Sequence, residues 1–509
     1  MKKRVLSYLL IFASACMLLS GCTTQTGGEQ GNETNESGDS DSHEEENETS
    51  TENVYVDTNG YLDNDQVFVV GVESLPYSDM EIYEQLFSLN NRIEVDIDIT
   101  DEELLKLQMD YEKYEEKGSK SPIYRETSMN ITITTTKDTF TYHIPQIGVR
   151  MKGNTSRTNF YNSFEGQYNL IHLRVKFTEE EFAALDGLEM KWNRNDDRTY
   201  VREIYAYDMY RDLGIMAPHV NLASVDFGGV HQGVFNIYEP VDKLFIEKRV
   251  AKEDQDGDLY KCAWSRNGAD LTVNCSVGIE DEDACKFYNY DLKNNKKTSD
   301  HGLMKNLLRV LNRSTVTKEE LEEVLDMESF LRFSAVSYFV GNPDDMRNDY
   351  NNYYIYFMKS TGKAVFIPYD CDRVLGVTCG WNPTGNGMTG VSPFSTMAEG
   401  ARQEQPNPLI TLTVQEGGYY IDEYILHLKT VAASKWMTNE HFNEYYYIAK
   451  NNYYDYTTPG KTFYNAERHD FSFDLEASEG LNSDWENASF ADYVEAILET
   501  YNRCIAEYH

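Results

Sequence analysis

One segment constrains the fold more than any other part of this chain: "NNYYIYFMKSTGKAVFIPYDCD", residues 351–372. Its runs "YYIYF" and "AVFIP" are aromatic and β-branched, and turn-forming residues 360–363 separate them. The pattern predicts an antiparallel hairpin. In such a hairpin the start of the first strand and the end of the second lie at the same edge, so Asn351 and Asn352 should be neighbours of Asp370.

A second acidic segment, "NPDD" at 342–345, follows an apolar helix and leads to the same edge, which places Asp344 near the hairpin. Oxygen donors of this kind suit a hard cation such as Mg²⁺ or Mn²⁺. A loop aspartate, an asparagine and a hairpin ending in aspartate also form the arrangement of a kinase-type phosphotransfer site. The competing interpretation is that these are ordinary turn residues. Their grouping at one edge favours a site.

The N-terminus has the pattern of a bacterial lipoprotein. Three basic residues precede an apolar run over 5–19, which is typical of a secretory signal. The run ends in "LSGC", which resembles a lipobox and implies cleavage before Cys22 and lipidation of its thiol. The alternative is an ordinary signal peptide with a chance cysteine. We expect residues 1–21 to be a lipoprotein signal peptide and the mature protein to be extracytoplasmic, anchored to the membrane of a bacterial cell through Cys22.

The segment after Cys22 is acidic and contains neither Lys nor Arg up to residue 53. Because it has no aromatic side chain and almost no aliphatic one, it cannot bury enough surface to fold. We therefore expect residues 22–53 to form a disordered tether. The whole chain carries a net charge of −39, which argues against nucleic acid as a partner, since phosphate binding needs clustered cations.

The remaining chain predicts an α+β fold. Residues 54–250 are rich in alternating strand patterns, and residues 251–509 are mainly helical. This order predicts a β-rich N-terminal lobe, a helical C-terminal lobe that contains the hairpin, and a cleft between them. Residues 251–300 are polar and are expected to be loop-rich; a disulfide could form there among Cys262, Cys275 and Cys285.

Several motifs in series resemble the CotH-type (spore coat protein H) kinase family, which has an atypical protein-kinase-like fold. They are "VRMKGNTSR", "WNRNDDRTYVREIYAYDMYRDLGIMAPHV", "GGVHQGVFNIYEPVDKLFIEKR", "DGDLYK", "NPDDMRNDYNNYYIYF" and "GKAVFIPYDCDRVLG". The resemblance implies that Asp344 is catalytic and that Asn352 and Asp370 bind the metal. It also implies ATP, a divalent cation, and transfer of phosphate to Ser or Thr of secreted or cell-surface proteins. Family members often carry Trp at the position of Tyr369.

The sequence offers three candidates for the lysine that binds the nucleotide. A kinase-like site needs a cation on the phosphates, paired with a carboxylate on a neighbouring helix. Lys176 ends the strand "HLRVKF", which only partly matches the family strand, and Lys152 precedes the Gly153 turn. Lys191 ends "LEMK" just before the helix that carries Glu203. We favour Lys176, followed by Lys152.

Two other functions compete with a kinase. Asp370 and Asp372 form a DxD pattern, as in metal-dependent glycosyltransferases, but no βαβ alternation precedes them. The protein could also be a catalytically inactive kinase-like protein that acts in adhesion or in coat assembly.

Overall fold

Alternating apolar residues in the first half of the chain form a mixed β-sheet, and the second half supplies a smaller sheet and most of the helices. We analysed a computed structural model that describes residues 67–71, 75–154, 156–263, 268–377, 388–395, 407–476 and 487–508. All of them belong to one unit, Val54–His509. Cys22 and the segments predicted as signal peptide and tether lie outside the described residues.

The larger sheet has eight strands in the order β1-β4-β3-β2-β9-β10-β8-β7, and β4 also pairs with β7. The strands are β1 (Val67–Gly71), β2 (Arg92–Asp98), β3 (Arg125–Thr134), β4 (Thr139–Lys152), β7 (His172–Phe177), β8 (Gly187–Trp192), β9 (Val220–Phe227) and β10 (Val230–Tyr238). Two short strands, β5 (Tyr161–Asn162) and β6 (Gln167–Tyr168), form a separate ribbon. Only β1–β4 and β2–β9 pair in parallel among the described strands of this sheet.

The smaller sheet contains the predicted hairpin. Its strands run in the order β12-β13-β11-β14-β15, with bounds β11 (Leu259–Cys262), β12 (Val277–Gly278), β13 (Tyr290–Leu292), β14 (Tyr353–Phe357) and β15 (Ala364–Pro368). Tyr353 pairs with Pro368 across the antiparallel hairpin. The segment 251–300 therefore supplies three strands rather than a simple loop, because its short apolar runs gain a partner only when β11 pairs with β14. No disulfide joins Cys262, Cys275 and Cys285, which are all free.

Eleven α-helices are present in the described part of the chain: α1 (Asp79–Leu86), α2 (Asp101–Glu115), α3 (Arg202–Asp212), α4 (Lys243–Glu247), α5 (Gly302–Leu311), α6 (Lys318–Val324), α7 (Met327–Val340), α8 (Pro408–Thr413), α9 (Ile421–Ala432), α10 (Asn439–Tyr453) and α11 (Phe490–Tyr508). The predicted caps are confirmed at two of them. Thr100 Oγ1 accepts a hydrogen bond from the Glu103 amide, and Ser489 Oγ accepts one from the Asp492 amide. None of the described helices is both long and apolar enough to cross a bilayer.

The larger sheet has a different role on each face. In β8, Leu188 and Met190 point into an apolar core that includes residues of α1 and α2. Because side chains alternate along a strand, Glu189 and Lys191 point to the opposite face. That face also receives α3, whose buried residues join the helical core beneath the smaller sheet. Polar residues on this second face lie where the two sheets approach each other.

Candidate active site

Lys191 is the central cation of the candidate site. Its ammonium group forms an ion pair with Asp370 Oδ1 and lies 3.5 Å from Glu203 Oε1. The side chain is 8% exposed. Burial alone would lower the pKa of Lys191, but Asp370 and Glu203 raise it well above its usual value. The two carboxylates therefore favour the charged form of Lys191, which connects strand β8, helix α3 and the end of the hairpin.

Glu203 is held in place by two further donors on the sheet. Tyr238 Oη donates a hydrogen bond to Glu203 Oε2 at 2.5 Å, and Asn236 Nδ2 donates one at 3.3 Å. Burial raises the pKa of Glu203 to about 7, although the positive charge of Lys191 opposes this rise. A buried carboxylate that is fixed on a helix and faces a lysine is the arrangement that orients the lysine of a phosphotransfer site.

Asp370 lies two residues after the end of β15, at the edge where the hairpin begins. Its side chain is 31% exposed. Burial would raise its pKa, but Lys191 and Lys152 hold the pKa well below its usual range. The carboxylate is consequently an anion. Its second oxygen has no partner among the residues that the structure describes, so it is available to a cation.

The loop after α7 is attached to Asp370 through Asn342. Asn342 Nδ2 donates a hydrogen bond to the Asp370 carbonyl at 3.2 Å, and Asn342 Oδ1 accepts one from the Asp344 amide at 3.0 Å. One buried amide side chain thus fixes the separation between the two aspartates. The expectation that they occupy the same edge of the hairpin is confirmed.

The two neighbouring aspartates of this loop have different environments. Asp345 is buried and accepts hydrogen bonds from the amides of Arg347 at 2.9 Å and Asn348 at 2.8 Å, which shapes the turn. Asp344 accepts a hydrogen bond from Asn351 Nδ2 at 3.2 Å and is half-buried. Burial raises the pKa of Asp344 to about 6, and the charge of Asp370 adds to this rise. Of the two, Asp344 is the more exposed to solvent.

Asn352 lies beside Asp370, as the hairpin geometry predicts. Its carbonyl accepts a hydrogen bond from the Tyr369 amide at 3.2 Å. No cluster of three or more His, Cys, Asp or Glu side chains able to hold a metal occurs in the described segments. A kinase-type metal is held mainly by phosphate oxygens and one or two protein side chains. The partly exposed carboxylate of Asp370, with Asn352 as its neighbour across the hairpin, is compatible with that donor set.

A family model described as CotH kinase protein matches residues 149–456 of this chain. The chain belongs to the CotH kinase family. The matched range contains every motif on which the sequence resemblance depends.

Two individual proteins show weaker similarity. Inner spore coat protein H of Bacillus subtilis (strain 168) is 24% identical over 184 residues, which are 35% of this chain and 48% of that protein. The match thus spans about half of the relative's length. The crystal structure of the Helicobacter pylori proinflammatory kinase CtkA aligns at 10% identity and a TM-score of 0.26, over 55% of this chain and 89% of that one. Assignment to the CotH kinase family depends on the family model alone.

Within this CotH-family chain, the structure changes the preferred lysine. Lys176 is exposed and lies opposite Gly187, at the far end of β7 from Lys191. Four residues along a strand correspond to about 13 Å, so Lys176 is remote from Asp370 and the preference for it is corrected. Lys152 pairs with His172 in the sheet, level with Lys191, and remains close to the site.

The sequence carries a signal for Lys191. Lys191 alternates with core residues in a strand, and Glu203 follows on the next helix. A lysine and a glutamate on a successive strand and helix are the two partners that a kinase-type ion pair requires. The register between β7 and β8 distinguishes the two lysines. It places Lys191, and not Lys176, at the end of the sheet that lies beside Asp370.

Proposed function

We propose that this protein is an extracytoplasmic, lipid-anchored protein kinase that transfers the γ-phosphate of ATP to Ser or Thr residues of secreted or cell-surface proteins. The observation that carries the proposal is the position of Lys191, between the Glu203 carboxylate on α3 and the Asp370 carboxylate after β15. Membership of the CotH kinase family supports the same reaction.

Each residue would have a distinct task in this reaction. Asp344 would accept a hydrogen bond from the substrate hydroxyl, orient it, and take its proton as the hydroxyl oxygen bonds to the γ-phosphorus. The bond from that phosphorus to the bridging oxygen would break at the same time, and ADP would leave. Lys191 would bind the phosphates, and Glu203 would keep Lys191 in position. Asp370 and Asn352 would hold Mg²⁺ or Mn²⁺, which neutralises phosphate charge when bound.

The proposed location depends on the N-terminal sequence. Cys22 at the end of the apolar run would be lipidated, and residues 22–53 would connect the folded part to the membrane. Hydroxyl side chains of proteins outside the cytoplasm are then the accessible acceptors. An acidic chain of this kind is not expected to bind nucleic acid.

Two alternatives would be decided by the same assay. One alternative is a catalytically inactive family member that acts in adhesion or in coat assembly. The presence of Asp344, Asn352 and Asp370 argues against a loss of activity. A DxD glycosyltransferase would need a parallel βαβ domain before Asp370, whereas the described strands of the larger sheet pair mainly in antiparallel fashion.

The test is transfer of label from γ-labelled ATP to dephosphorylated casein by the purified full-length protein, with Mg²⁺ or Mn²⁺. Asp344→Ala and Asp370→Ala should each reduce transfer about 100-fold or more. Asp422→Ala, at an exposed aspartate of α9, is the matched control and should behave as wild type. Equal labelling by all variants, or none by wild type, would refute the kinase. Transfer from a nucleotide-sugar would instead support the glycosyltransferase.

A further inference from the structure

The connection between β12 and β13 reaches across to the larger sheet. Its residues 281–286, which we call the clasp loop, form a turn that is closed at its base by two backbone hydrogen bonds between Asp281 and Lys286, of 3.0 and 2.8 Å. Within the turn, Glu282 Oε2 accepts a hydrogen bond from Arg150 Nη1 of β4 at 3.1 Å. The clasp loop therefore joins the smaller sheet to the larger one.

The clasp loop also binds the end of α2. The Ser119 hydroxyl donates a hydrogen bond to the Glu282 carbonyl at 2.6 Å, and the Tyr114 hydroxyl donates one to the Asp283 carboxylate. Ser119 and Tyr114 are themselves buried, so packing fixes the positions of both donors. The clasp loop thus rests on a surface that is already ordered without it.

The smaller sheet is held at both of its edges. Its strands run in the order β12-β13-β11-β14-β15, so the clasp loop lies at one edge and Asp370, after β15, lies at the other. At this second edge Asp370 forms its ion pair with Lys191, and Tyr369 donates a hydrogen bond to Glu189 at 3.0 Å. A sheet that is fixed at both edges cannot tilt, whereas release of one edge leaves the other as a pivot.

The clasp loop is next to the strands of the candidate site. Arg150, which binds Glu282, is two residues before Lys152 on β4, so both side chains lie on the same face of the strand. Lys152 pairs with Glu189 at 2.8 Å, and Glu189 is two residues from Lys191 on β8. Opening of the clasp loop would therefore loosen the contact between the sheets beside the residues proposed to bind the nucleotide.

Polar contacts alone attach the clasp loop. Five of its six residues are exposed, Glu282 is partly exposed, and none of the six belongs to an apolar core cluster. When such a contact opens, water replaces the protein partner of each polar group, so the net cost of each contact is small. Segments with few buried apolar contacts open at a lower free energy than the core does. The clasp loop can thus open while both sheets stay folded.

We propose that the clasp loop is a latch that opens to let the nucleotide enter and leave the gap between the two sheets. The inference deepens the proposed function and rests on it for the identity of the ligand. Because the contacts of the clasp loop are with other protein groups, its opening should set the rates of nucleotide association and dissociation alike, and should change the affinity much less.

A disulfide can lock the latch closed. Cys285 Sγ of the clasp loop lies 3.5 Å from the Lys117 carbonyl oxygen, two residues after α2, so Lys117→Cys places a second thiol beside it. Diamide would oxidise the pair: the two thiols lose two electrons and two protons, the sulfurs form one bond, and diamide becomes the hydrazine. Lys117→Ser, treated in the same way, is the matched control and should form no such bond.

The readout is stopped-flow fluorescence of an ATP analogue with a fluorophore on its ribose, with Mg²⁺ and the full-length protein. Oxidised Lys117→Cys should show association and dissociation rates about tenfold or more below those of wild type, with the dissociation constant changed less than about threefold. Reduction with dithiothreitol should restore both rates. Oxidised Lys117→Ser should behave as wild type throughout.

Loosening the latch should have the opposite effect. The double variant Glu282→Gln, Asp283→Asn weakens both carboxylate contacts of the clasp loop and should raise both rates about twofold or more. Asp422→Asn, at an exposed aspartate of α9, is the matched control and should leave the rates unchanged.

Three results would overturn the proposal. Wild-type rates in the locked protein would mean that the clasp loop is a fixed brace and that the nucleotide exchanges without its opening. Failure of Cys285 to cross-link in Lys117→Cys, judged by mass spectrometry, would mean that the clasp loop does not rest on α2 in solution. Equal slowing in oxidised Lys117→Ser would mean that oxidation elsewhere, and not the latch, limits exchange.

The outcomes for the two proposals are separable. If the wild-type protein transfers no label but binds the ATP analogue at rates that depend on the lock, the kinase proposal fails and the latch stands. If label is transferred and the lock leaves the exchange rates unchanged, only the latch fails.

Discussion

Lys191 forms an ion pair with Asp370, a residue 179 positions later in the chain. The contact joins the larger sheet to the end of the hairpin in the smaller one. Since Glu203 lies 3.5 Å from the same ammonium group, one side chain connects three elements, each of which supplies a residue of the proposed site.

The first prediction concerns the identity of the nucleotide lysine. Lys191→Met should reduce phosphate transfer by about 100-fold or more, because it removes the cation on the phosphates. Lys176→Met should leave transfer unchanged, since Lys176 is exposed and distant from Asp370. Initial rates at saturating ATP would measure both. A large loss in Lys176→Met, with Lys191→Met unaffected, would reinstate the lysine favoured by the sequence pattern.

The part of the site that could be predicted from the sequence is the part set by local geometry. A hairpin turn and two strand runs suffice to bring Asn352 next to Asp370, because antiparallel pairing leaves little freedom. The capping residues of helices, such as Thr100, can be predicted for the same reason, because a cap contacts the backbone only a few residues away. The α+β class followed from the order of strand and helix patterns.

What could not be predicted depends on register between distant strands. Choosing among Lys152, Lys176 and Lys191 requires knowing how β4, β7 and β8 align, and nothing local fixes that alignment. The strands of segment 251–300 could not be predicted for a related reason. β12 and β13 have two and three residues, so their pairing with longer partners, and not their own propensity, makes them strands.

A second prediction concerns Asn342, which connects Asp344 to Asp370. Asn342→Ala removes both hydrogen bonds and should lower the free energy of unfolding by about 1–3 kcal/mol. It should also reduce the transfer rate about tenfold or more, because the separation of the two aspartates is no longer fixed. Urea unfolding and initial rates would measure the two effects.

The matched control for this prediction is Asn312→Ala. Asn312 Nδ2 also donates two hydrogen bonds, to the carbonyls of Leu271 and Leu308, away from the site. This variant should lose stability but retain its rate once the folded fraction is taken into account. A rate loss of equal size in both variants would mean that Asn342 acts through stability alone.

A third prediction concerns the cluster around Glu189. Glu189→Gln removes the ion-pair partner of Lys152 and leaves Arg174 only the Asp186 carboxylate at 3.8 Å, so it should lower the free energy of unfolding by about 3–5 kcal/mol. The double variant Glu189→Gln, Lys152→Met also removes a cation that the first substitution leaves unpaired, and it should recover part of the lost free energy of unfolding. Glu181→Gln, at an exposed position, should change stability by less than about 0.5 kcal/mol. Additive effects of the two substitutions, measured in a double-mutant cycle, would contradict a shared cluster.

The fourth prediction separates Asp345 from its neighbour Asp344 by pH. Asp345 is buried, and burial raises its pKa from 3.8 to about 7, although the amides of Asn348 and Arg347 and the charge of Arg347 oppose this rise. The folded state therefore binds the proton more tightly than the unfolded state does. Between about pH 4 and pH 7 unfolding releases this proton, so the contribution of Asp345 to stability falls as the pH rises.

Asp345→Asn removes this titration but can still accept the amide hydrogen bonds that shape the turn. The free energy of unfolding of Asp345→Asn, relative to wild type, should increase from pH 4 to pH 7 and then level off. Asp345→Ala should be destabilised by about 2–3 kcal/mol, because buried amides lose their acceptor. Urea unfolding at several pH values measures these differences. A difference between Asp345→Asn and wild type that does not vary with pH would show that Asp345 is ionised over the whole range. The negative charge of Asp345 would then be what holds the turn.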